Sequence, residues 1–177
     1  MDRPRTPDPV TEAAAYQDHL LGLLGDDDPS EVQAGTRAAF SSLVADAGDR
    51  IAERPEPDEW SVLECLGHAA DAEIVYAGRY RWTVAHDEPP LIGYDQDLWV
   101  QRLHHGDADP GELLAVFEAL RVANLTMWSR STAQERVRVG MHAERGPESY
   151  DLSFRLIAGH DRFHLAQARR ALDALPT

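Results

Sequence analysis

The sequence predicts an all-α protein: a four-helix bundle with one pair of consecutive helices running parallel, preceded by a short extra N-terminal helix. Three observations carry this reading. Four long segments repeat apolar residues at helical spacing, and each opens on a capping signature. Between the second and third lies a connection from His86 to His105, too long for the tight turn that joins antiparallel neighbours. Finally, the last segment contains Gly159-His160-Asp161-Arg162-Phe163-His164. Residues four apart on a helix share a face, so His160 and His164 can aim both imidazoles at one point.

Taken in order, residues 1–9 are proline-rich and charged and predict a flexible lead-in. From Val10 to Leu24, the positions Ala13, Ala14, Tyr16, Leu20, Leu21 and Leu24 fit a short amphipathic helix closed by Gly25, expected to lie across the bundle. Asp28-Pro29-Ser30-Glu31 places a side-chain acceptor, a proline whose missing N–H costs nothing, and a carboxylate at a helix start. That helix should reach about Ala47, with Val32, Ala39, Phe40, Leu43 and Val44 as its buried stripe. Pro55 and Pro57 mark a loop before Trp60, a packing anchor. Ser61 and Glu64 stand at capping-box spacing, and the helix they open should run to about Val84 with Leu63, Leu66, Ala70, Ile74 and Ala77 inward.

The connection after it predicts a crossover with a helical turn near Asp97 to Leu103. Tyr94 and Trp99 can wall a pocket there or simply pack, and His104-His105 reads as solvated. Asp109-Pro110-Gly111-Glu112 repeats the start signal for a helix to about Arg130, built on Leu113, Leu114, Val116, Phe117, Leu120, Leu125, Met127 and Trp128. Within it Arg121, Asn124 and Trp128 are candidates for lining a cavity. Ser131 to Glu148 reads as loop with a short extended piece at Arg136 to Val139. Ser149 then caps the last helix, which Pro176 ends.

The 177 residues suffice for one domain, expected over 10–175. Acidic residues outnumber basic ones 31 to 17, a net charge of -14 that repels phosphate backbones and anionic lipid, so neither nucleic acid nor membrane is an expected partner. No apolar run approaches the length of a membrane span and no signal core follows Met1, which predicts a cytoplasmic protein. Cys65 stands alone and cannot form an internal disulfide; a small buried hydrophobe is its commoner role, although three residues before His68 it could also lie near a ligand set.

Two imidazoles hold a metal weakly, so a third ligand must come from elsewhere in the chain. His68, in Leu66-Gly67-His68-Ala69-Ala70-Asp71, is the candidate: if its helix packs beside the last one, three rings cap one face of an ion and leave positions open. A histidine pair at this spacing also arises by accident on surface helices. Each ligand's other ring nitrogen needs an acceptor, and Asp161, beside His160, and Asp71, three residues after His68, are the candidates. Glu73 faces His68 less well, and Gln167, three beyond His164, can reach the pocket as a hydrogen-bond donor. Any anionic cosubstrate would need local positive charge, from Arg79, Arg121 or Arg155. His142 reads as a structural or pocket-edge residue rather than a ligand.

Trp60-Ser61-Val62-Leu63-Glu64, His68 followed by Asp71 and Glu73, the loop Gly140-Met141-His142-Ala143-Glu144-Arg145-Gly146-Pro147, and His160-Asp161-x-x-His164-x-x-Gln167 occur in an order and spacing that resembles the DinB/YfiT-like family, from about Pro29 to Ala171. The resemblance implies up-down-down-up connectivity and a divalent metal, zinc or nickel first, on His68, His160 and His164. It further implies a thiol-dependent S-transferase or related enzyme acting on a small molecule, with a low-molecular-weight thiol as cosubstrate. A non-enzymatic stress-response or binding bundle and a metal-dependent hydrolase are the alternatives. Pairing through exposed helix faces would give a homodimer.

Overall fold

The computed structural model describes residues 6–176, so the first part of the expected lead-in, residues 1–5, lies outside the described residues. The helices are α1 (Ala13–Leu24), α2 (Pro29–Ala47), α3 (Val62–Ala85), α4 (Gln96–Arg102), α5 (Pro110–Arg130), α6 (Ala133–Arg136) and α7 (Tyr150–Ala174). Their starts follow from local chemistry. The Asp28 carboxylate accepts from the N–H groups of Ser30 and Glu31, Ser61 and Glu64 close a reciprocal capping box, and Asp109 and Ser149 cap α5 and α7.

The directions of the four long helices follow from which residues meet. Phe117 shares a core cluster with Leu66 and Ala69, Arg121 and Asn124 reach Glu73, and Trp128 clusters with Tyr76 and Tyr80, so α5 climbs alongside α3. Along α7 the order reverses: Ala168 and Leu172 cluster with Cys65 and Leu66, while Phe154 and Ile157 cluster with Tyr76 and Tyr80. Gln33 donates to the Phe154 carbonyl and Thr36 to Asp161, which makes α2 parallel to α7. The bundle is therefore up-down-down-up, and the crossover carrying α4 exists because α3 and α5 run the same way.

The N-terminal helix lies against α7, and one residue permits it. A Cβ on Gly159 would stand 2.0 Å from the Leu20 carbonyl oxygen, so α1 crosses where α7 has no side chain. Tyr16, Leu20 and Leu156 fill the contact beside it. No helix among the described residues is long and apolar enough to cross a membrane.

The structure departs from the sequence pattern in the Ser131–Glu148 segment, at Ile74 and at His105. Ser131 to Glu148 holds more than one short extended piece: α6 is followed by a hairpin of β2 (Val139–His142) and β3 (Gly146–Ser149), and β1 (Pro90–Leu91) from the crossover joins β2 in parallel, Leu91 opposite His142. Glycines conceal these strands in the sequence, yet Gly140 is required because a Cβ there would meet the Leu91 side chain at 2.7 Å. Ile74 is half exposed rather than inward, and the large inward residues on this part of α3 are Tyr76 and Tyr80. His105 is buried rather than solvated. Its ring lies against the backbone of α3 at Gly67, where a Cβ would come within 2.5 Å of it, and its Nε2 is 2.6 Å from Asp71.

Candidate metal centre

The first three turns of α3 are buried on every side, from Val62 to Glu73, because α5, α7 and the crossover all pack there. His68 therefore projects into the interior, and α7 runs antiparallel beside it with His160 and His164 one turn apart. One ring nitrogen from each of the three lies within 4.8 Å of the others. Nε2 of His68 and Nε2 of His160 are 2.9 Å apart, and the His164 ring centroid is 4.4 Å from that of His68 and 4.3 Å from that of His160. Trp60, on the turn before α3, stacks on His164 at 5.8 Å between ring centroids and an interplanar angle of 17°, so the anchoring tryptophan also shields the cluster.

Burial decides the protonation of these rings. Desolvation lowers the pKa of all three, and for His68 and His160 the neighbouring histidines lower it further. His164 falls to about 3. All three are thus neutral near pH 7, the state in which imidazole offers a lone pair. Gln167 selects which nitrogen of His164 offers it. Its Oε1 lies 2.9 Å from His164 Nδ1, so Nδ1 carries the proton and Nε2, buried and without a hydrogen-bond partner, is left basic. Gln167 acts here as acceptor, not as the expected donor. A nitrogen-only set of this kind fits a divalent ion of the zinc or nickel type.

The other expected supports are used differently. Asp161 points away from His160: both its oxygens take hydrogen bonds from Arg121, and Thr36 adds a further donor. Asp71 is engaged by His105, and Glu73 by Arg121 at 2.8 Å and Asn124 at 3.0 Å. The Nδ1 atoms of His68 and His160 consequently have no acceptor. A helix turn carries its carboxylates outward at fixed angles, and here those angles meet the neighbouring helices α2 and α5 and the crossover instead of the imidazoles. Cys65 is fully buried in the apolar core, outside the histidine group, and burial raises its thiol pKa, so it stays a protonated core residue.

His68 and His160 form part of the wall of a cavity of about 300 Å³. Tyr94 lines it, its ring 6.3 Å from that of His68, whereas Trp99 sits behind Tyr94 at 4.5 Å and does not reach the cavity. His142 is at the cavity edge, delivered there by β2. The Arg79 guanidinium can only donate, so His142 Nε2, 3.1 Å away, faces a donor, and Nδ1 accepts from the Glu144 backbone N–H at 3.2 Å, with the Glu144 carboxylate 3.5 Å away. Desolvation first, then Arg145 and Arg79, lower the His142 pKa to about 4. Of Arg79, Arg121 and Arg155, only Arg79 lines this cavity, and Arg121 is consumed by carboxylates. Arg145 and Tyr16 also line it and were missed, because nothing in a glycine-rich loop or an N-terminal helix says where it will fold back.

The fold and the cluster together define a four-helix bundle with three buried, converging histidines, two of which line a pocket. Residues 31–168 match the family model of the DinB superfamily, and the chain belongs to that family. No curated protein matches it. Among solved structures it superposes on YfiT from Bacillus subtilis, described as "a probable metal-dependent hydrolase with an unusual four-helix bundle topology", with a TM-score of 0.74 and 18% identity over 96% of this chain and 91% of that chain. At that identity the likeness establishes the shared fold.

Proposed function

We propose that the chain is a metal-dependent enzyme that uses His68, His160 and His164 to hold a divalent ion and transfers a small thiol to an electrophilic substrate. The observation that carries the metal reading is the convergence of three neutral imidazoles with His164 Nε2 left unpartnered in a buried site. A divalent ion bound there would supply a Lewis-acidic open position beside the cavity. Three uncharged ligands leave the ion's full charge in place, which favours an anionic group such as a thiolate at that position. The chain's own groups do the rest. Gln167 holds the His164 ring in one tautomer, Trp60 keeps water from one face, and the cavity admits only a small molecule.

Hydrolysis is the second reading, supported by the description of YfiT. The same open position would lower the pKa of water, and no thiol would be needed. Elemental analysis of tag-free protein, followed by assays with a small thiol plus an electrophile and with esters or amides alone, separates the two. The expected result is one equivalent of metal, thiol consumption by the wild type, and loss of both in His164→Ala. Thiol-independent cleavage would select the hydrolase, and wild-type protein that binds no divalent metal would end both readings.

A further inference from the structure

Arg79 is the cavity's most unusual wall residue. It is only 3% exposed, yet no carboxylate lies within ion-pair distance of it among the described residues. Its Nη2 donates to the Ile92 carbonyl at 2.5 Å and lies 3.1 Å from His142 Nε2, its Nε has no partner, and its guanidinium lies 5.0 Å from the centroid of the Tyr76 ring. None of these partners carries negative charge. The other buried arginine among the described residues is paired, Arg121 with Glu73 and Asp161, and so is the partly buried Arg145 on the cavity wall, with Glu148 at 2.7 Å. A guanidinium cannot shed its proton, so an unpaired one in a buried site is a standing electrostatic cost that an anion in the cavity would remove.

We infer that Arg79 is the recognition site for the carboxylate of an elongated small molecule whose other end lies at the three histidines. This rests on the proposed function, since it names the chemical class that the same cavity takes. Length follows from helix geometry. Arg79 stands eleven residues after His68 on α3, about 16 Å of rise, part of which is recovered because helical side chains lean toward the N-terminus. A ligand bridging the two must extend across the cavity past the rings of Tyr76 and Tyr94. Charge sets the rest. Asp95, Asp97 and Glu144 also line the cavity, so one unpaired guanidinium among these acids suits a single negative charge better than a phosphate dianion.

Calorimetry with the full chain tests this, using hexanoate, the neutral isostere hexanamide, and inorganic phosphate as probes. Hexanoate should bind the wild type and hexanamide should bind at least about tenfold more weakly. Arg79→Gln should abolish that preference without lowering metal content, and Arg79→Lys, which keeps the charge and loses the planar fork, should retain part of it. The lysine variant carries the test if Arg79→Gln fails to fold. Equal binding of hexanoate and hexanamide, undiminished hexanoate binding in Arg79→Gln, or stronger binding of phosphate than of hexanoate would each overturn the assignment. Repeating the titration on metal-stripped wild type and on His164→Ala separates the two readings: Arg79-dependent binding that persists without metal supports the carboxylate site even if the enzyme reading falls.

Discussion

Two buried polar clusters share α3 and α7, and they are completed in different ways. Around Arg121 the protein supplies every partner the carboxylates need: Arg121 and Asn124 meet the two oxygens of Glu73, and Arg121 and Thr36 meet those of Asp161. Burial works against the Arg121 charge, but Asp161 and Glu73 outweigh it and raise its pKa. This cluster ties α2, α3, α5 and α7 into one register. The histidine cluster, next along α7, is left open: each ring keeps one buried nitrogen without a partner. A buried polar atom without a partner costs about 1–3 kcal/mol. Beside Arg121 that cost falls on Arg121 Nε while every carboxylate oxygen is met, whereas His164 Nε2 is unpartnered where three neutral rings converge, an arrangement suited to a bound ion.

The largest effect expected on this contrast comes from opening the closed cluster. Arg121→Met strands two buried carboxylates and should cost about 3–5 kcal/mol in urea denaturation. A loss under about 1 kcal/mol would mean that the charges are hydrated and that the cluster is not closed. Next comes loosening the open cluster at its one firm support. Gln167→Leu removes the acceptor for His164 Nδ1 and should weaken metal binding about 10- to 100-fold in a competition titration, with little change in the stability of the metal-free protein. Unchanged affinity would show that the ring is oriented by packing against Trp60 alone.

The smallest effect is in acid. His142 has a folded pKa of about 4, below the value of about 6.5 for an exposed histidine, so between those limits the unfolded chain binds the extra proton. Its contribution to stability is complete above about pH 6.5 and is lost as pH falls toward 4. Metal-free wild type should lose stability over that window, since its three buried histidines behave in the same sense, and His142→Gln should lose less. Identical slopes for the two proteins would remove His142 from the buried cavity wall.

Much of the helical frame was legible because its signals are local. Asp28, Ser61, Asp109 and Ser149 each cap a helix within three residues of themselves, and α4 appeared where the crossover length required it. The hairpin was not legible, because its strands are four residues long, carry glycines, and are specified by pairing with each other and with the distant Pro90–Leu91. The destinations of Asp71, Asp161 and Gln167 divide in the same way. Gln167 bonds a residue one turn away on its own helix, whereas Asp71 and Asp161 are claimed by His105 and Arg121 from other elements.

By itself, the sequence determined the helix starts, the turn spacing that sets His160 above His164, and the crossover that makes two consecutive helices parallel, since each depends on backbone geometry over a few residues. Only the tertiary structure decided that His68 meets that pair, that Arg121 is paired while Arg79 is not, and that α1 can cross α7 at Gly159. Those outcomes turn on the rotation of one helix against another, and a rotation of that kind is set by the packing of the whole core.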